Sequence, residues 1–311
     1  MLLRMKKPAP SRQNGRTVLL ALAIMLANAS PEMAQAEKPI WVGESGGFSI
    51  RWTPEDITAF PSNNPSNILF SAKRNADKDF AVFKKENLTQ EAGMKCSYEQ
   101  TFRLLSVVGS IVSYRVDEYS YCGSGEGGPG WAHPSTNISY HVIDLNYPTR
   151  QIKLWLYYSE GEILKALMAD PLVKKAMPDN KSKNRPKTID ALVETFAHEG
   201  LSLQPLAATP ESPEGCAYTF PDEILTQFAF HHLENNKVAV RLRLEPDSGA
   251  CRAGHAQLGL LLAIPESLKK SLEAAEAQKE GFMMKDAKSL SGNRNTVFKY
   301  EARPSDRKRN P

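Results

Sequence analysis

Cys96-Ser-Tyr-Glu-Gln-Thr-Phe-Arg-Leu-Leu-Ser-Val107, then Val108-Gly109-Ser110, then Ile111-Val-Ser-Tyr-Arg-Val-Asp-Glu-Tyr-Ser-Tyr121: two runs rich in β-branched and aromatic residues meet at a glycine-centred joint. That pattern predicts an antiparallel hairpin. Cys96 and Cys122 each stand thirteen residues from Gly109, so folding the chain there sets the two thiols opposite each other, within bridging reach. Four cysteines allow three pairings. The hairpin selects Cys96 with Cys122 and leaves Cys216 with Cys251, which flank a further hairpin of Phe228–Leu233 and Val238–Leu244 around Asn235-Asn236. Two disulfides are the ordinary reading of an even cysteine count in an oxidising compartment. A structural zinc site needs close Cys-x-x-Cys spacing, and the sequence has none. No metal and no cofactor is therefore expected.

Outward from this hairpin, Phe48–Trp52 alternates as a short strand, and Ala59–Asn67 reads as a loop from its Pro, Asn and Ser content. Asn137–Leu145 and Gln151–Tyr158 are expected to pair around Tyr147-Pro148-Thr149-Arg150. Ser159-Glu160-Gly161-Glu162 has capping-box spacing ahead of Ile163, Leu164, Leu167 and Met168, so a helix starts there. Pro178–Pro186 reads as an exposed loop, Thr188–Glu199 as a helix stopped by Gly200, and Gln204–Gly215 as a Pro-rich connector. Gln257–Ile264 is apolar enough for a central strand, and Pro265 opens a helix carrying Leu268 and Leu272. Hairpins separated by helices, without a strand-helix-strand rhythm, predict an α+β fold: antiparallel sheets flanked by helices and held by two disulfides.

The N-terminal 36 residues carry an address. Arg4, Lys6, Lys7, Arg12 and Arg16 precede an apolar run from Val18 to Ala29 broken only by Asn28, and Ala34-Gln35-Ala36 offers a small-x-small site before Glu37. This is the pattern of a signal peptide cleaved after Ala36, which predicts a periplasmic or secreted protein. The run is about a dozen residues where a span needs roughly 20, so the mature chain is not expected to cross a membrane. The chain has 39 basic and 35 acidic residues; the leader holds five of the former and one of the latter, leaving 34 of each. A mature chain without net charge gives no reason to expect a nucleic-acid partner. The expected organisation is leader 1–36, an α+β domain 37–284 divisible at 158/159 into two subdomains, and a basic tail 285–311, partly disordered.

Candidate catalytic residues are sparse. His133, His141, His198, His231, His232 and His255 include no pair at helical ligand spacing, and His231-His232 in a strand should face opposite ways. Nucleophile-elbow, phosphate-loop and dinucleotide motifs are absent. One stretch suits binding: Gly127-Gly-Pro-Gly-Trp131-Ala-His133-Pro134, next to Tyr119 and Tyr121, combines flat apolar faces with polar edges. The same glycines also suit a plain crossover in which His133 caps a backbone carbonyl.

The tyrosine-rich strand, this Gly-Gly…Ala-His-Pro crossover, the strand ending Asp144-Leu145-Asn146, the Lys153-Leu154 segment, the helix from Glu162 and the strand Gln257–Ile264 together resemble the extracytoplasmic RsiV-like domains. Such domains occur in a lysozyme-sensing anti-sigma factor and at the N-terminus of a peptidoglycan deacetylase. The resemblance spans roughly Gly43 to Gly281, with Pro129-Gly130-Trp131 splitting the family's usual Gly-Gly-Ala-His. It implies an α+β fold and binding in the cell envelope without catalysis. With the leader, the disulfides and the absent catalytic motifs, the expectation is a non-enzymatic protein that binds a lysozyme-like protein or a peptidoglycan fragment, and the aromatic and imidazole side chains of Tyr119, Tyr121, Trp131 and His133 are the expected contact residues. Two other readings stand beside it: an envelope hydrolase assembled from His133, His255 and dispersed acids, and a purely structural envelope protein.

Overall fold

The computed structural model describes residues 38–87, 94–124, 134–177, 185–198, 202–204, 216–246, 251 and 255–302. From Pro39 onward they belong to one compact unit, built from three four-stranded antiparallel sheets. The first is a meander of β1 (Trp41–Ser45), β2 (Phe48–Trp52), β3 (Ile57–Pro61) and β4 (Phe70–Ser71). Helix α1 (Ala72–Asn87) follows directly. Its first turn is capped by Ser71 Oγ, which accepts from the Arg74 amide at 3.1 Å, and by Asp56 Oδ1, which accepts from the Lys73 amide at 2.9 Å.

The central hairpin forms as expected. β5 (Met94–Val108) and β6 (Ile111–Ser124) pair along their length around Gly109-Ser110, with Gly109 at φ 58° and a bulge near Leu105. Cys96 pairs with Cys122 and the disulfide is present. β7 (Ser135–Asp144) extends this second sheet on the β6 side. The third sheet contains β8 (Tyr218–Thr219), β9 (Phe228–Glu234), β10 (Lys237–Pro246) and β11 (Ala256–Ala263). Asn235 and Asn236 both take positive φ, 49° and 59°, in the two-residue turn between β9 and β10. The second disulfide joins Cys216 and Cys251.

Helix α2 (Glu160–Ala169) carries the expected capping box: Ser159 Oγ accepts from the Glu162 amide, and the Glu162 carboxylate accepts from the Ser159 amide. α3 (Pro171–Ala176) is capped by Asp170, and α4 (Ile189–His198) buries Ile189, Leu192 and Phe196. α5 (Lys269–Glu276) buries Leu272 but starts four residues after Pro265, which instead opens a turn closed by the Leu268 amide on its carbonyl. The connectors at 178–184 and 205–215, and Gly200, lie outside the described residues.

Several expectations are overturned. Gln151–Tyr158 is no strand but contains a single tight turn at Leu154–Leu156. Successive turns, with the Tyr147 amide on the Asp144 carbonyl and the Arg150 amide on Tyr147, carry the chain off the β7 edge instead of back along it. Ile152 and Leu154 are buried, whereas Leu156, which strict alternation would bury, is exposed. The loop from Ala59 begins later, because Ala59–Pro61 complete β3 against β2. β11 pairs only with β10, so β10 is the central strand; Ala256, Leu258, Leu260 and Leu262 face the core while Leu261 is exposed. The region from 285 is folded as far as 302. α6 (Met284–Ser291) spans its start, and β12 (Thr296–Ala302) adds to the second sheet beside β5, Ala302 opposite Cys96. Residues 303–311 lie outside the described set.

Both apolar cores draw residues from either side of the expected boundary at 158/159. One core packs the third sheet against α2 to α5 and also takes Val108 and Ile111 from the central hairpin. The other packs the first sheet on the second and takes Phe282, Ala287 and Phe298 from late in the chain. Over the end of the second sheet α1 lays Phe80 on Tyr300, centroids 4.5 Å apart, and Phe83 on Tyr98 at 4.8 Å.

Candidate binding face

Alternation along β6 puts Arg115, Asp117, Tyr119 and Tyr121 on one side of the second sheet and Tyr114, Val116 and Glu118 on the other. The second side is covered: Tyr114 and Val116 are buried in the core, and Glu118 accepts from Tyr98 Oη at 2.9 Å. The first side is open. Tyr119 and Tyr121 are 41% and 43% exposed, large fractions for aromatic rings on a sheet. Beside Tyr119 runs a groove of 240 Å³ lined by Glu99 and Thr101 of β5, Arg115 and Asp117 of β6, and Thr136 of β7. Its charged groups are held in place from both directions. Arg115 Nε donates to Asp117 Oδ1, and Lys299 on β12 holds Glu99 at 3.0 Å.

At the inner end of this face lies a polar cluster that joins the second and third sheets. Tyr140 on β7 stands opposite Arg115, and its buried hydroxyl lies 2.7 Å from His255 Nε2, just ahead of β11. Gln257 Nε2 donates to the same hydroxyl and sits 3.2 Å from His255 Nε2. An amide nitrogen can only donate, so the phenol accepts from Gln257 and donates its own hydrogen bond to His255 Nε2, and the neutral ring carries its hydrogen on Nδ1. Burial, reinforced by Arg115, Arg243 and Arg103, drives the His255 pKa down to about 3, and burial also pushes that of Tyr140 up. Arg243, buried on β10, reaches Glu245 at 3.3 Å and Gln227 at 3.5 Å. His255 therefore remains an uncharged acceptor at neutral pH, fixed by a phenol and an amide. The cluster's acids, Asp117 and Glu245, are each engaged by an arginine.

Of the sequence-predicted contact residues, Tyr119 and Tyr121 share one exposed face, and Trp131 and His133 lie outside the described residues. His231 and His232 do not point apart. The register slips between Ala239 and Val240, leaving His231 as the extra residue of a β-bulge, and its Nδ1 comes within 2.7 Å of His232 Nδ1. Among the described residues no group of three or more His, Cys, Asp or Glu side chains is placed to hold a metal ion, and no helix is long and apolar enough to cross a membrane. No signal in the sequence linked Tyr140, Gln227, Arg243 and His255, because they come from distant segments of the chain.

No family model matches the chain, and neither a curated protein nor a solved structure matches it significantly.

Proposed function

We propose that this chain is a non-enzymatic binding protein of the bacterial cell envelope, periplasmic or secreted after cleavage at Ala36, that holds a peptidoglycan fragment on the open face of the second sheet. The observation that carries the reading is the pair Tyr119 and Tyr121, exposed side by side next to a groove of fixed carboxylate, guanidinium and hydroxyl groups. Residues two apart on a strand put their rings about 7 Å from each other, a spacing on the scale of adjacent sugar rings. Tyrosine faces cover the apolar side of a sugar, and paired charges lose little entropy when they accept its hydroxyls. The two disulfides and the leader pattern support a place outside the cytoplasm, and the RsiV-like resemblance supports the ligand class.

Calorimetric titration of soluble peptidoglycan fragments tests this directly. Saturable binding is expected, without turnover of the fragment, and Tyr119→Ala/Tyr121→Ala should weaken it at least about tenfold. Fragment cleavage would establish the hydrolase reading instead, and binding of lysozyme without binding of the glycan would move the partner to a protein. Absence of both ligands, or binding indifferent to the tyrosines, would defeat the proposal.

A further inference from the structure

On the covered side of the same sheet, away from the tyrosines, a cleft of 520 Å³ opens between α1, the C-terminal half of β7 and the turns that follow it. Arg74 and Lys78, one helical turn apart on α1, form one wall, and Arg150 stands on the other. Among the described residues no acidic side chain lines it. The acids nearby in sequence stand outside the lining and accept hydrogen bonds there: Asp77 from Lys73 at 2.8 Å and from Tyr300 Oη, Asp144 from the Asn146 amide, and Asp79, whose field reaches His141 and Tyr114, from Gln100. Arg74 donates to the Ile68 carbonyl at 2.7 Å, which fixes its guanidinium, whereas Lys78 and Arg150 have no ion-pair partner among the described residues.

The lining is built for polar contact. His141 stacks on Tyr114 at 5.1 Å with the rings nearly parallel, and Ser139 Oγ lies 2.8 Å from its Nε2. The ring is open to the cleft yet enclosed by its walls, and that confinement lowers its pKa, so at neutral pH it offers an uncharged donor or acceptor. Asn75 and Thr149 add further hydrogen-bonding groups. Three like charges converging on a recess repel one another, and a multiply charged anion seated between them would relieve that repulsion.

We infer that this cleft binds a small organic or inorganic anion bearing at least two negative groups, carboxylate or phosphate, held between Arg74, Lys78 and Arg150 over His141. The inference does not depend on the glycan reading, since the two sites lie on opposite faces of the sheet.

Calorimetry on the purified protein with citrate and pyrophosphate as separate probes, and glycerol as the uncharged one, decides it. Saturable binding of at least one anion is expected, weakening as salt is raised, with affinity reduced at least about tenfold in Lys78→Gln/Arg150→Gln. Both substituted side chains are solvent-exposed, and an unchanged Tm confirms that the fold is intact. Lys174→Gln/Lys175→Gln on α3 removes the same charge elsewhere and should leave affinity within about twofold. Citrate alone binding assigns a carboxylate ligand, pyrophosphate alone a phosphate ligand, and both together the shared chemistry. No anion binding, equal loss in the two double variants, or equal binding of glycerol would overturn the inference.

Discussion

Protonation of His255 should set much of the acid sensitivity of this fold. The ring has a pKa of about 3 in the folded chain, against 6.5 for a free imidazole, because it is partly buried and faces Arg115, Arg243 and Arg103. A base whose folded pKa is depressed contributes stability that is complete above its unfolded pKa and is lost as pH falls from there towards the folded value. Between about pH 7 and pH 5 the unfolded chain takes up most of a proton at this site while the folded chain takes up none, which removes about 2 kcal/mol of unfolding free energy. His231, brought down to about 4 by burial and by the neighbouring Arg241, His232 and Lys285, adds a loss of the same sign in the same window. Asp77 and Glu162, whose pKa values are lowered by hydrogen bonds from Lys73 and Ser159, titrate below that window. Urea unfolding at pH 5, 6 and 7 should therefore give a steep pH dependence in the native protein, and His255→Gln should flatten it by about 2 kcal/mol over the interval. The variant is expected to be less stable at pH 7, because Tyr140 exchanges the fixed imidazole Nε2 at 2.7 Å for the acceptor of a longer, more mobile amide, so the comparison is of slopes and not of absolute stability. An identical slope in His255→Gln and native protein would refute the reasoning.

Replacing Cys96 and Cys122 by Ser opens a loop with a sequence separation of 26 and should cost about 3.5 kcal/mol by loss of loop-closure entropy, measured by urea unfolding with and without reductant. Gly281→Ala should destabilise by more than about 2 kcal/mol, read from Tm, because φ is 73° and an added Cβ would lie 2.1 Å from the Val107 carbonyl oxygen. Asn236→Gly should keep or raise Tm, whereas Asn236→Val should lower stability by about 1 to 2 kcal/mol, because the turn needs φ 59° at that residue.

Legibility followed the range of the interaction. The central hairpin, the Asn235-Asn236 turn and the Ser159 capping box are decided by residues within a few positions of one another, and each is present in the structure. Gln151–Tyr158 misled because a two-residue period over so short a run fits a strand and an irregular segment that buries Ile152 and Leu154 equally well. β12 was hidden by its basic surroundings, although Thr296, Phe298 and Ala302 are buried in alternation with exposed Val297, Lys299 and Glu301. The bulge that brings His231 to His232 arises from a slip against β10, which only the paired strand reveals. On the candidate face, Tyr119 and Tyr121 stand two apart on one strand, so their shared side was readable from strand alternation. The Tyr140–His255 contact was not, since it spans 115 residues between two sheets.

β12 also has a consequence for biogenesis. β5 finds β6 across a two-residue turn, but its other edge is covered by Phe282 at Val107 and by Thr296–Ala302 along Cys96–Phe102, and the latter segment leaves the ribosome almost two hundred residues later. Until then the segment Cys96–Phe102 presents unsatisfied amides and carbonyls, the kind of open template on which chains associate. Burial of that edge thus waits on a distant segment, and the sheet cannot close until Thr296–Ala302 has emerged. A chain stopped near Asn295 would keep its disulfide hairpin and lose its protection against self-association.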